Sequence, residues 1–118
     1  MDQEGLKQRT RLFALGIIKT VEALPKGRTS EVLGRQLLRS GTSVGSNYRS
    51  ACRAKSAADF ISKMGTVEEE ADESLYWMEL LIEAGIVTSG GFEPLRKEAA
   101  EILAITVASI KTARRNKK

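Results

Sequence analysis

The sequence predicts an all-α fold, one domain over residues 1–118 arranged as an antiparallel up-and-down four-helix bundle. Three observations lead there. Helix-forming Leu, Ala, Glu, Lys and Arg are plentiful, while proline occurs only at Pro25 and Pro94. Apolar residues recur at three- and four-residue steps in four segments. Turn signals separate those segments, and short connections place consecutive helices side by side and antiparallel. With 42% hydrophobic and 29% charged residues, the chain has the make-up of a globular domain and not of a disordered one.

The first segment covers about 6–24, with Leu6, Thr10, Phe13, Ile17, Val21 and Leu24 on one face. Pro25-Lys26-Gly27 ends it, because proline restricts the residue before it and glycine permits a turn. The second segment, about 30–54, opens at Ser30, a residue type suited to an N-cap. Leu33, Leu37, Val44, Tyr48 and Ala51 mark its core face. Its middle, Ser40 to Ser46, is poor in helix formers, and propensity alone would break the helix there. The apolar phase continues through it, so one helix is predicted.

The third segment, about 57–84, carries Phe60, Met64, Val67, Ala71, Leu75, Met78 and Ile82 at heptad-like spacing. Ser56 with Asp59 resembles a capping box, and Gly85 suits the position after a helix end. A fourth segment, about 94–113, follows Ser89-Gly90-Gly91, with Pro94 expected in its first turn. Its stripe is Leu95, Ala99, Ile102, Thr106 or Ile105, and Ile110, and it runs into a basic tail at 111–118.

Composition also bounds the function. Cys52 is the one cysteine, so no internal disulfide supports the fold. The first residues lack the apolar stretch of a signal peptide, and no apolar run approaches the ~20 residues of a membrane span. A reducing cytoplasm is the expected compartment, and no membrane partner is expected. Histidine is absent, which removes the usual Glu-x-x-His metal centre of helical bundles despite the acidic run Glu68 to Glu73. Cys52 has no histidine to act as its base, and no phosphate-cradling glycine loop or CxxC motif occurs. The expectation is a protein that is not an enzyme and uses no cofactor or metal.

Charge is distributed unevenly around a net +4. Between Lys26 and Lys55 lie seven bases and one acid, Glu31; between Ser56 and Ala84 lie eight acids and one base, Lys63. Opposite signs on consecutive helices imply attraction, within a subunit or between subunits. On helix two, Arg35, Arg39, Thr42, Ser46, Arg49 and Arg53 form one stripe. It reads as a solvated face, a phosphate-binding ridge or a subunit interface, since arginine serves all three. A second strip, Gln36, Ser40, Ser43, Asn47 and Ser50, favours close helix contact. Arg114, Arg115, Lys117 and Lys118 in the tail suit phosphates without sequence preference.

Two stretches resemble a known family. Leu24-Pro25-Lys26 followed by Gln36 to Arg49 (QLLRSGTSVGSNYR), and Asp59 to Met64 with Glu69 to Leu81 and Ala84 to Val87, are similar to the bacterial 23S rRNA intervening-sequence proteins, also called four-helix-bundle proteins. The likeness covers nearly the whole chain. It implies a left-handed antiparallel bundle and a ring-shaped homo-oligomer, with five subunits expected. It implies no agreed activity, because the family has none; the older ribosomal label reflects gene location. Signature positions carry over as Arg39, Ser43 and Asn47. Ser50 stands where the family usually has a glutamate, three residues after Asn47, so the resemblance implies that any subunit or ligand contact of that glutamate is lost or replaced here. Accessory proteins of diversity-generating retroelements are similar in general charge pattern only. The expected function is a homo-oligomeric module contacting RNA or a nucleoprotein through Arg35, Arg39, Arg49, Arg53, Arg114, Arg115, Lys117 and Lys118. The alternative is a protein-interaction scaffold whose charges are used in subunit assembly.

Overall fold

The computed structural model describes residues 1–117; Lys118, the last base of the expected tail, lies outside the described residues. The chain forms α1 (Gln3–Glu22), α2 (Arg28–Ala51), α3 (Ala57–Glu83) and α4 (Ser89–Asn116), with no strand among the described residues. Five-residue connections, 23–27, 52–56 and 84–88, join them. Each helix packs on the next, and α4 touches α1 along a thinner seam. The result is a rod of 50 × 20 × 19 Å.

Glycine contacts give the helix directions. Positions on α1 and α2 pair in opposite order, Thr10 against Gly45, Ile17 against Gly41 and Leu24 against Gly34. Likewise Arg9 meets Glu98 and Gly16 meets Leu95, so α4 is antiparallel to α1. The start of α1, the end of α2, the start of α3 and the end of α4 therefore share one end of the rod.

α2 runs without interruption through its hydroxyl-rich middle. Thr42, Ser43 and Ser46 turn their hydroxyls onto carbonyls of the preceding turn, which satisfies them without unwinding the backbone. Gly41 lies so close to α1 that a Cβ there would stand 2.8 Å from two side-chain carbons of Ile17. The poor helix formers of this stretch are what let α1 and α2 approach.

Several boundaries and core positions differ from the sequence reading. α2 begins at Arg28, so Ser30 is buried inside the helix and Gly27 holds the cap position. It ends at Ala51, leaving Arg53 beyond the helix. α4 begins at Ser89, not near Pro94, because Phe92 is buried and anchors the first turn. Pro94 then sits inside the helix, and the Gly90 carbonyl it cannot serve is on an exposed residue where water can. In α3 the deeply buried stripe passes through Ser74 and Leu81, while Leu75 and Ile82 lie half-buried beside it. Ser74 is tolerated at the core because its hydroxyl bonds that of Ser40 across α2–α3 at 2.9 Å. Both hydroxyls also reach a carbonyl of their own helix, Glu70 at 2.9 Å and Leu37 at 3.3 Å. In α4, Thr106 and not Ile105 faces the core, its hydroxyl donating to the Ile102 carbonyl at 2.8 Å.

Candidate functional site

Because α2 ends, α3 begins and α4 ends at the same end of the rod, bases far apart in sequence gather there. Arg49, Arg53 and Lys55 come from the α2–α3 junction, and Arg114, Arg115 and Lys117 from the last residues of α4. All six are exposed, and among the described residues none forms an ion pair. The acids nearest in the topology are engaged. Asp2 accepts the Gly5 amide as the cap of α1, Glu4 pairs with Lys7 at 3.4 Å, and Asp59 pairs with Lys63 at 3.0 Å. The Lys55 amide and Lys63 ammonium hold the Asp59 carboxyl below its ordinary range, so it is charged at neutral pH.

The arginine stripe of α2 is divided by the fold. Arg39 crosses to α3, where it pairs with Glu70 at 3.2 Å and with Glu73, and it also reaches Gln36 at 3.2 Å. Glu73 in turn accepts from the Trp77 indole at 3.3 Å. Opposite charges on α2 and α3 thus meet within the subunit at this point. Among the described residues Arg35 pairs with Glu31 alone, one turn earlier on its own helix, at 3.0 Å. Arg49 lines a groove of about 530 Å³ between α1 and α2, together with Arg11, Lys7, Thr42 and Ser46.

Ser43 and Asn47 lie half-buried on the flank of α2. Asn47 donates to the Ser43 carbonyl at 2.8 Å, and Ser43 donates to the Arg39 carbonyl at 2.6 Å. Arg39, Ser43 and Asn47 are therefore a ladder of bonds along one helix that ends at the Arg39 crosslink.

Two arginines escaped the sequence reading. Arg9 forks onto Glu98 of α4 at 2.6 and 2.8 Å and onto Glu101 at 2.6 Å, which holds its guanidinium firmly charged and closes the α1–α4 seam. Arg11 faces the α1–α2 groove. Neither belongs to the helix-two stripe, and no local pattern marks them; Arg9 finds its carboxylates 89 and 92 positions away, and Arg11 shares its groove with Arg49 of α2.

Tyr48, whose phenol is held protonated above its ordinary range by burial and by Cys52, fills the core beside this end and is not presented for stacking. Among the described residues, no group of three or more His, Cys, Asp or Glu side chains is placed to hold a metal ion, and no helix is long and apolar enough to cross a membrane.

Comparison with known proteins bears on the fold and on the lineage. A crystal structure of a protein of unknown function from the S23 ribosomal protein family of Bacteroides thetaiotaomicron VPI-5482 superposes with a TM-score of 0.87. It is 36% identical, over 94% of this chain and 99% of that one. No curated protein matches. The sequence profile of the 23S rRNA-intervening sequence proteins matches residues 5–108. A match over most of the chain places it in the 23S rRNA-intervening sequence protein family.

Proposed function

We propose that this protein is a non-catalytic, homo-oligomeric binding module that contacts RNA or a nucleoprotein through the basic end of its rod. One observation carries the reading: Arg49, Arg53, Lys55, Arg114, Arg115 and Lys117 collect at one end, and among the described residues none of their side chains forms an ion pair. Exposed arginine and lysine neutralise phosphates by releasing counterions, independently of sequence. Arg35 and Arg39 contribute less in this reading, since Glu31, Glu70 and Glu73 already neutralise them. Self-association is supported by an apolar strip on the outer face of α1, where Leu12, Leu15 and Ile18 are 57%, 49% and 40% exposed. A five-subunit ring, as the family resemblance implies, would present several basic ends together and raise avidity by roughly 10²–10⁴. The single cysteine fits a reducing, cytoplasmic setting.

The test is binding of labelled single-stranded RNA, followed by fluorescence anisotropy at low and moderate salt, on protein of verified mass. Affinity should fall steeply with salt, with a log–log slope of about −0.7 for each phosphate contacted. Absence of binding at low salt overturns the reading.

A scaffold that uses its charges in assembly is the second reading. The exposed acids Glu69 and Asp72 on α3 favour it, as they lie outside the Arg39 pairing and offer a complement to a neighbour's bases. Under it, high salt dissociates the oligomer and RNA does not bind.

A further inference from the structure

We propose that the groove between the first three turns of α1 and the last two turns of α2 is a phosphodiester-binding site, with Arg11 and Arg49 as its cationic walls. The proposal rests on the nucleic-acid reading above and specifies where the strand lies.

The groove measures about 530 Å³ and exists because its floor is made of small residues. Gly45 has no side chain, and Thr10 closes against it, 3.3 Å from where a Cβ would stand. Ala14, Thr42 and Ser46 add little bulk. Four charged residues line it. Glu4 is taken by Lys7 at 3.4 Å, which leaves Arg11 and Arg49 without a carboxylate among the described residues. Two guanidinium groups sharing one groove repel each other, and an anion between them turns that repulsion into two attractions. Guanidinium also matches phosphate oxygens in a two-pronged geometry that an ammonium lacks.

Hydroxyl groups complete the lining. Thr42 donates to the Leu38 carbonyl at 2.8 Å and Ser46 to the Ser43 carbonyl at 3.2 Å. Those carbonyls keep their helical bonds if the hydroxyls rotate towards a ligand, so redirecting them leaves no buried acceptor unmet.

A strand fits better than an isolated anion because the seam continues. Further along α1–α2 lies a second groove of about 560 Å³, lined by Val21, Leu24, Leu38 and Lys26. Lys26 has no carboxylate partner among the described residues, whereas Arg35 in the same groove is paired with Glu31. Gly45 and Gly34, one in each groove, are separated by roughly 16 Å of helix at ~1.5 Å per residue. That distance is more than one small anion can span, so only an extended polyanion reaches both grooves. A strand laid along the seam sets phosphates against both grooves; a small anion occupies one.

The deciding experiment is a salt titration of single-stranded RNA binding by wild type, R11Q/R49Q, R11K/R49K and R114Q/R115Q. Each is first checked for unchanged helicity and assembled mass. R11Q/R49Q should flatten the log–log slope by about 1.4, two contacts at about 0.7 each, while R11K/R49K keeps most of it. A wild-type slope in R11Q/R49Q, or a flattening of only the ~0.7 that Arg49 contributes as part of the basic end, overturns the groove and leaves the basic-end reading standing. Loss of slope in R11K/R49K equal to that in R11Q/R49Q also overturns it, because charge is preserved there. No binding by wild type at low salt overturns the groove and the broader reading together.

Discussion

Gly41 and Gly65 show how differently one residue type acts in two helices. A Cβ at Gly41 would press on Ile17, which is fully buried and has nowhere to move; a Cβ at Gly65 would meet nothing within 4 Å. Alanine is a better helix former than glycine by about 1 kcal/mol, so Gly65→Ala should raise stability by up to that amount. At Gly41 the same gain is outweighed by overpacking of about 2–3 kcal/mol, for a net loss of about 1–2 kcal/mol. Urea unfolding of both variants measures the contrast, and a Gly41→Ala protein as stable as wild type would show that α1 and α2 are not in tight contact there. Ser40 and Ser74 follow related logic. Their hydroxyls are tolerated in the core because each has a partner on the facing helix and a carbonyl on its own.

At the level of the element, α3 is defined by its ends. Ser56 caps it by accepting the Asp59 amide at 3.0 Å, and the Asp59 carboxylate answers by accepting the Lys55 amide, also at 3.0 Å. The expected capping box is therefore present in a shifted form, its return bond reaching one residue before the cap. At the other end Gly85 takes a φ of +76°, the Ile86 amide bonds the Leu81 carbonyl, and the Gly85 amide bonds that of Ile82. This paired closure satisfies carbonyls that the helix end would leave bare. Asp59 carries a pH signature. Its folded pKa is depressed, first by the Lys55 amide and then by Lys63, so its contribution is complete well above the ordinary aspartate value of about 3.9 and is lost as pH falls through the folded value. Asp59→Asn retains an acceptor and removes the charge. The stability difference between it and wild type should be present at neutral pH and close as the solution is acidified below about pH 3.9, as followed by urea midpoints across pH. A difference independent of pH would place the effect in packing.

For the molecule as a whole, the alternation of helix direction has the largest consequence. It brings the α2–α3 junction and the tail of α4 to one end of the rod, and it leaves Leu12, Leu15 and Ile18 on an outer face of α1 that no helix of the subunit covers. If that strip holds subunits together, wild type sediments as a multiple of 12.9 kDa and Leu15→Glu sediments at the subunit mass with its helicity intact. A wild-type protein of subunit mass would remove the oligomer from the proposed function. An unchanged assembly in Leu15→Glu would move the interface elsewhere.

Helix number and most of the core were legible in the sequence, because a 3.6-residue period writes itself into local spacing: Phe13, Ile17, Leu37, Val44, Met64, Met78 and Ile102 are all buried as the pattern requires. The turn glycine at 85 and the cap at Ser56 were readable for the same local reason. What spacing does not encode is which polar group finds a partner on another helix. Ser74 took a core position that the pattern assigned to Leu75 because Ser40 faces it, and Phe92 drew the start of α4 ahead of Pro94. The division of the arginines was likewise decided only in three dimensions. One stripe on helix two became Arg39, neutralised by α3, and Arg49, set in a groove opposite Arg11, because charge pairing depends on distances that only the packed bundle defines.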